Sequence, residues 1–458
     1  MKKIMAIILS LALAFSLAAC GSNDGNLNTQ KDSKDTEQSV SAGIEQPEGT
    51  DSGKTADSAS DGKASSGEIE ELEKTYTNLT EDELKWEYDS AAQTIVISGE
   101  GPMKEYLENA PEWDKYCDEA RKVIIGKDVT SVGAGAFLWF SCLEGVELGE
   151  KVEFVGDAAF SNCSCLRTVN FPSGLKYVGA AAFNNTILHS DSGFTFPEGM
   201  LYIGGEGFRS AFKENAVTIP ASLSYIEEGA FANTFVSAFN VDEANPSYTS
   251  VDGVLYNKDV TTLINYPADK QEAKYEIPGT VTNILQEAIT VTNTLENVVI
   301  PASVTNIEEG SIFWNYGLKT FDVDEANSSF KSVDGVLFSK DGKELISYPL
   351  ASDRTEYTVP EGTERICNYS MSQANNLTEL HIGQGVKEIG GLGCYFCQNL
   401  KKLGLPGSIE SIEDEAFMFC DALTEINYTG TSADWQNVSI GEDNDRLYDG
   451  SVPIRCAE

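Results

Sequence analysis

Apolar positions in this chain recur with a long period, not with the short periods of an isolated helix or strand. One cassette occurs ten times between positions 125 and 423. Each copy is indexed on one bulky residue: Phe137, Phe160, Phe183, Phe208, Phe231, Ile289, Ile312, Met371, Cys394 and Phe417. Most gaps are 23 residues, one is 25, and two are 58 and 59, where the cassette has taken in an insert. Five before the index stands Val or Ile, as in Val132, Val178, Ile307 and Ile389. Eight before it the residue is Val, Leu, Met or Ile, except at Thr363, and eleven before it is Pro or Gly. Six after it is usually Leu, as in Leu143, Leu295 and Leu400. A fixed period with fixed apolar columns is the signature of a solenoid, in which each unit buries its face only against its neighbours.

The columns predict the coil. In Val298-Val299-Ile300-Pro301 a short β-branched run stops at a proline, which cannot donate to a ladder. Val304-Thr305-Asn306-Ile307 predicts a second short strand, turned from the first by Ala302-Ser303. The stretch that follows, as in Glu227-Glu228-Gly229-Ala230-Phe231, suits a helical or 3₁₀ turn whose small residue lets the large one drop into the core. Strands of successive coils are expected to stack in parallel about 4.8 Å apart, so ten coils predict a core roughly 50 Å long.

Cassettes such as Ile300-Pro-Ala-Ser-Val-Thr-Asn-Ile307 and Ile409-Glu-Ser-Ile-Glu-Asp-Glu-Ala-Phe-Met-Phe-Cys420 resemble those of the BspA-like bacterial leucine-rich repeat proteins. The likeness covers most of the chain. It implies a leucine-rich-repeat-like solenoid, mostly β, of short parallel strands and turns, with two hairpin inserts and a cap at each end. It also implies a surface-exposed binding or adhesion protein, and it brings no catalytic residues. The family names a scaffold more firmly than a function.

Residues 1–19 read as a signal peptide: two lysines, then an apolar stretch too short for a membrane span. Leu17-Ala18-Ala19-Cys20-Gly21 resembles the bacterial lipobox. That implies cleavage before Cys20, attachment of acyl chains such as palmitate, and a membrane tether without a transmembrane helix. The alternative is an ordinary signal peptide with an incidental cysteine. Residues 20–75 are expected to be lipid anchor and disordered stalk, because a Ser, Asp, Gly, Lys, Thr and Glu sequence cannot offset the entropy of ordering. The formal charge of −40 argues against nucleic acid and anionic headgroups as partners. It reads first as a solvated acidic surface. The acidic stretch at 441–449 looks like a calcium loop but misses the EF-hand ligand spacing. No metal and no other cofactor is expected.

Of ten cysteines, nine remain once Cys20 is set aside, and an odd number excludes complete pairing. Cys163, Cys397 and Cys420 share the position three after the index, and Cys142 and Cys165 the position five after. Cys394-Tyr-Phe-Cys397 has CxxC spacing, but its members fall in repeat columns and no second CxxC exists. Core filling is therefore favoured over zinc or redox chemistry.

Residues 76–122 read as an N-terminal cap, 123–426 as the solenoid with inserts at about 238–272 and 320–354, and 427–458 as a C-terminal cap. In the first cap, Leu84-Lys-Trp-Glu-Tyr88 and Thr94-Ile-Val-Ile-Ser98 predict a hairpin, and a short helix is expected around Trp113. Trp86 and Trp113 are expected to cover the open end of the core. The inserts are near-copies: Val241-Asp-Glu-Ala-Asn245 and Val251-Asp-Gly-Val-Leu-Tyr256 return as Val323-Asp-Glu-Ala-Asn327 and Val333-Asp-Gly-Val-Leu-Phe338. They read as hairpins, either a ledge that shapes a ligand face or, the favoured reading, a structural embellishment.

Two histidines, His189 and His381, occupy scaffold positions, and paired carboxylates such as Glu227-Glu228 belong to the repeat's turn. No catalytic residue is expected. One feature exceeds the scaffold's needs. The two positions after the index are small or polar in Ser161-Asn162, Asn184-Asn185 and Ser372-Gln373, but large in Leu138-Trp139, Phe313-Trp314, Tyr395-Phe396 and Met418-Phe419. Exposed aromatic clusters mark protein or sugar contacts. Trp139, Phe313, Trp314, Tyr395, Phe396, Met418 and Phe419 are therefore candidate ligand-binding residues. The alternative is packing against caps, inserts or the adjacent turn. The expected function is an extracytoplasmic, lipid-anchored, cell-surface solenoid that binds a protein or glycan without catalysis. The competing expectation is a structural envelope lipoprotein with no dedicated ligand.

Overall fold

A computed structural model of the chain describes residues 63–190 and 193–457. Within them each cassette makes one coil with the two expected strands. The first-strand ladder starts at Thr94–Ser98, continues in parallel through Lys122–Ile125, Gly145–Glu147 and Thr168–Asn170, and after breaks ends at Ile454–Cys456. The second-strand ladder has thirteen rungs, from Ser131–Val132 to Ser439–Ile440. Ten of these are the cassettes counted above. Two more are insert strands, Thr262–Asn265 and Glu344–Ser347, and the last belongs to the C-terminal cap. In the insert coils Tyr266 and Tyr348 take the index place: their amides donate to Ala288 and Ser370, as index amides do elsewhere. Each precedes the next index residue, Ile289 or Met371, by 23 positions. The period of 23 therefore resumes at each insert coil, one coil before the next cassette.

The index column fills the core. Phe137, Phe160, Phe183 and Phe208 stack with centroids 5.3 Å apart at each step. Trp113 closes this stack at 5.7 Å and donates its Nε1 hydrogen to Ala136 O at 2.9 Å. Trp86 packs on Trp113 at 6.1 Å. Burying one such side chain contributes about 2 kcal/mol. Because both neighbours supply the burial, no coil is stable alone.

Each insert is a three-stranded antiparallel piece that stands between two core segments as a septum. Tyr248–Val251 returns as Val254–Asn257 through Asp252 (φ +50) and Gly253 (φ +80). A two-residue type I′ turn needs both conformations, and glycine adopts the second without strain. Asp334 and Gly335 repeat this turn. Side chains alternate across a strand. Leu255 accordingly joins the core before the insert, while Val254 and Tyr256 join the core after it. Leu337 on one side, with Val336 and Phe338 on the other, divides the second boundary in the same way. The inserts also close the interrupted ladders. Gly253 O accepts from Phe239 N at 2.8 Å, Gly335 O from Phe321 N at 3.0 Å, and the Tyr248 hydroxyl from Ile226 N at 2.7 Å. This geometry favours the structural reading of the inserts over the ledge.

At the base of each insert lies a buried asparagine with every group bonded. Asn245 Nδ2 donates to Pro220 O (2.7 Å) and Leu223 O (2.9 Å), and its Oδ1 accepts from Ser247 N (2.9 Å) and Tyr248 N (2.8 Å). Asn327 repeats the pattern with Pro301, Val304, Ser329 and Phe330. At the far end Asn444 Oδ1 accepts from Phe417 N at 2.9 Å, in place of the carbonyl a further coil would bring.

The stalk expected over residues 20–75 does not extend to its predicted end, because Lys63–Tyr76 is an α-helix. Ile69, Leu72 and Tyr76 share one helical face and are buried against Phe154, Tyr177 and Tyr202. A reading from average composition dilutes these three among polar neighbours. Residues 1–62, with the expected signal peptide, Cys20 and most of the stalk, lie outside the described residues.

Candidate functional site

Between the second strand and the following Leu, the chain turns tightly with two left-handed residues per coil. They stand two before and two after the index. Gly135, Ala158, Ala181 and Glu206 hold the first place, and Trp139, Asn162, Asn185 and Ser210 the second, with φ between +52° and +68°. The alternation aims every second amide at the next coil. Phe137 N donates to Ala159 O, Phe160 N to Ala182 O and Phe396 N to Met418 O, each at 2.8 Å. The turn face is thus a third hydrogen-bonded ladder, and the backbone dictates its conformations.

Asparagine tolerates the left-handed region better than most side chains. Asn162, Asn185 and Asn233 use the place two after the index accordingly. Trp139, Trp314, Phe396 and Phe419 hold the same conformation, with φ from +54° to +65°. For a bulky side chain this costs roughly 1 kcal/mol. Something other than local preference keeps aromatics there.

The candidates divide by burial. Trp139 is 38% exposed. Phe396, Met418 and Phe419 are half-buried on the late coils. Tyr395, Phe396 and Phe419 lie within 5.7–5.9 Å of one another by ring centroid. Tyr395 itself is 1% exposed and belongs to the packing beneath this patch. Phe313 and Trp314 do not form a surface: they are 4% and 5% exposed. Phe313 stacks on Tyr369 at 4.8 Å, and Trp314 Nε1 donates to Ser372 Oγ at 2.9 Å. The cause is the insert coil between them. There the chain passes from Leu345 to Tyr348 in three steps, where an ordinary coil takes five from Ile366 to Met371. The shortened turn leaves room for the flanking turns to close on each other. At the first insert Arg209 bridges the same kind of gap, 2.9 Å from Glu287 and 3.4 Å from Glu206. Burial opposes its charge, but the two carboxylates outweigh burial and hold the guanidinium above its ordinary value.

The remaining polar residues do structural work. Glu227, Glu308 and Glu413 each accept the turn amide of the preceding coil, from Gly205, Gln286 and Gly391, at 2.8–3.0 Å. The thiols of Cys163, Cys397 and Cys420 donate to the index carbonyls of Phe137, Met371 and Cys394 at 3.2–3.4 Å. Asn315 Nδ2 serves Ile289 O in the same way at 2.9 Å. Burial pushes the Cys163 thiol up. His381 Nε2 lies 2.9 Å from Glu379 Oε1 on the first-strand side. Among the described residues, no three of His, Cys, Asp and Glu group as metal ligands, and no helix is long and apolar enough to cross a membrane. Sequence reasoning missed one constellation. Phe154, Tyr177, Tyr202 and Tyr225 stand six before the index in four successive coils, and that spacing could have shown them.

The family model for the BspA type leucine rich repeat region matches six copies, over residues 130–252, 269–344 and 351–440. The chain belongs to the BspA-type leucine-rich repeat family. The BspA-type match ends on the last second-strand rung, Ser439–Ile440. Among solved structures the chain is similar to a leucine-rich repeat protein from Eubacterium ventriosum, at 21% identity and TM-score 0.53, over 82% of this chain and 94% of that one. It is also similar to a leucine rich cell surface protein from Faecalibacterium prausnitzii, at 20% identity and TM-score 0.44, over 79% of this chain and 97% of that one. The pneumococcal vaccine antigen PcpA is similar at 16% identity and TM-score 0.34, over 84% of this chain and 89% of that one. The first of these likenesses shows the leucine-rich repeat fold. The search of curated proteins returned no match.

Proposed function

We propose that this BspA-type chain is a lipid-anchored cell-surface protein that binds a protein or glycan through aromatics on its turn face, without catalysis. One observation carries the reading. Trp139, Phe396 and Phe419 keep accessible aromatic rings on a left-handed backbone position that Asn fills in other coils, and Met418 lies beside the late pair. Family membership supports a binding scaffold, and Leu17-Ala18-Ala19-Cys20 supports the anchor. The test is a glycan and host-protein array probed with the purified chain, with each hit re-measured on Trp139→Asn and on the triple variant Phe396→Asn, Met418→Ser, Phe419→Asn. Aromatic anchors commonly contribute about 2 kcal/mol each, so binding should weaken at least tenfold while the melting temperature holds. Normal binding by both folded variants would refute the assignment. Cys20→Ala should abolish fatty-acid labelling and membrane fractionation, and undiminished label would remove the lipid anchor from the proposal.

A further inference from the structure

The second-strand side carries an aromatic ladder that the repeat does not require. Phe154, Tyr177, Tyr202 and Tyr225 stack with centroids 4.3, 4.4 and 5.9 Å apart. Other coils place Ser131, Asn283, Asn306, Arg365, Glu388 and Ser411 at the same register. The helix Lys63–Tyr76 covers the first three rings with Ile69, Leu72 and Tyr76. Tyr225 continues the ladder past this cover and stays 52% exposed. The ladder is therefore longer than the segment it seats.

The cover and its seat match in apolar shape but not in charge. The helix carries Glu68, Glu70, Glu71 and Glu73. Its polar ties include Glu68 to Lys176 at 3.1 Å and Glu73 Oε1 accepting from the Tyr177 hydroxyl at 3.1 Å. Around the seat stand Glu105, Glu153, Asp157 and Glu227. Burial, together with Glu105, Glu227 and Glu73, pushes the Asp157 carboxyl up, and the field of Glu153 reaches Tyr76. Of these, Glu153 lies 3.9 Å from Lys176, the lysine that also pairs with Glu68. A 14-residue helix containing Gly67, two serines and Thr75 is marginal on its own and depends on docking.

We propose that the Phe154–Tyr177–Tyr202–Tyr225 ladder is a docking face for cationic amphipathic helices, and that the acidic helix Lys63–Tyr76 is its releasable cover. The fitting partner repeats the apolar spacing of Ile69, Leu72 and Tyr76 and carries Lys or Arg where the cover has Glu70, Glu71 and Glu73. Its charge meets the acidic rim that the cover repels, and a net charge of −40 draws it in. The cover competes through its apolar face, its polar ties and its tether.

The test uses a labelled synthetic peptide of residues 63–76 bearing Glu70→Lys, Glu71→Lys and Glu73→Lys, titrated with the full chain by fluorescence anisotropy at about 0.15 M salt. The peptide should bind at least tenfold more tightly than its all-native counterpart, and amides 67–76 of the protein should lose hydrogen-exchange protection as it binds. Leu72→Asp in the protein loosens the cover and should tighten peptide binding at least tenfold. Tyr177→Ser with Tyr202→Ser should abolish it. Undiminished binding by that double variant would show bulk attraction to an acidic surface and overturn the proposal, as would no binding, or no gain from Leu72→Asp. If the double variant does not fold, the peptide changed further by Ile69→Ser, Leu72→Ser and Tyr76→Ser decides. Its loss of binding supports the apolar seat, and its retention refutes it.

Discussion

Replacing Asn245 by Ala removes one side chain and strands four backbone groups. Two are carbonyls of the coil before the insert, at Pro220 and Leu223, and two are amides of the insert, at Ser247 and Tyr248. All four bonds are 2.7–2.9 Å long, and the side chain is fully buried. A typical intramolecular hydrogen bond contributes about 1 kcal/mol net, while a buried group left unpaired costs about 1–3 kcal/mol. Local relaxation will let water reach some of the four, so we expect a loss of about 4 kcal/mol, at the upper end of single-site effects. Asn327→Ala should cost as much, because its four partners repeat the pattern. The two sites lie at different septa with no shared partner, so the double variant should be additive to within about 0.5 kcal/mol. Urea denaturation followed by circular dichroism gives the global figure. Hydrogen exchange at Ser247 and Tyr248 reports whether the insert opens by itself, since a repeat array need not unfold in one step. A loss under about 1 kcal/mol with both amides still protected would refute the idea that this asparagine splices insert to coil.

The other expectations are shorter. Ile389 is fully buried between rungs, whereas Ile307 is half-buried at the edge of its sheet. Ile389→Asp should therefore lower the unfolding midpoint far more than Ile307→Asp, and equal shifts would contradict the register. The described cysteines are unpaired and mostly core-filling, so reducing agent should leave the melting temperature nearly unchanged, and alkylation of the native protein should reach Cys142 and Cys165 before Cys163, Cys397 and Cys420. Stoichiometric disulfides in mass spectra would overturn this. Burial raises the carboxyls of Asp157, Glu228 and Glu415, with Glu308 adding at Glu228 and Asp443 at Glu415. A raised carboxyl binds more protons folded than unfolded, so its stabilisation is complete below the unfolded value and is lost as pH rises through the folded one. Melting temperature should therefore climb as pH falls from 8 towards the carboxylate range. It should fall again at lower pH, where hydrogen-bonded or ion-paired carboxylates held low, such as Glu364, Glu379 and Asp128 (about 2), take up protons. A melting temperature that only falls as pH is lowered from 8 would refute the sign.

The core columns are legible in the sequence because one period carries them and each admits few residue types. The insert coils escape the same search for a physical reason. Their turns are two residues shorter, so the place five before Tyr266 or Tyr348 holds Thr261 or Lys343, while the rung residues are Leu263 and Leu345. Exposure on the turn face is not legible at all from the cassette. Phe313-Trp314 and Phe396-Met418-Phe419 look alike as sequence, yet the first pair is buried because the next coil withdraws its turn. The Lys63–Tyr76 helix fails differently. Three apolar residues at helical spacing decide it, and their partners lie about a hundred positions away, on a face that exists only once the coils have stacked.

The two features that mark this surface, acid and aromatic, carry different information. Part of the acidity is used by the turn itself. Glu227, Glu308 and Glu413 occupy one register in three of the ten cassettes, and each closes an amide of the coil before, so these carboxylates serve the coil whatever the protein binds. The accessible aromatics differ in the backbone they occupy. Trp139, Phe396 and Phe419 occupy a backbone state that disfavours them and suits Asn, and they are absent from most coils. Tyr225 extends a stack beyond the helix that covers its other members. A residue that the repeat rewards tells about the repeat, whereas one retained against local preference tells about contact with something else. Under the proposed function, the negative charge sets the kind of partner that can approach, and the aromatic positions set where it can settle.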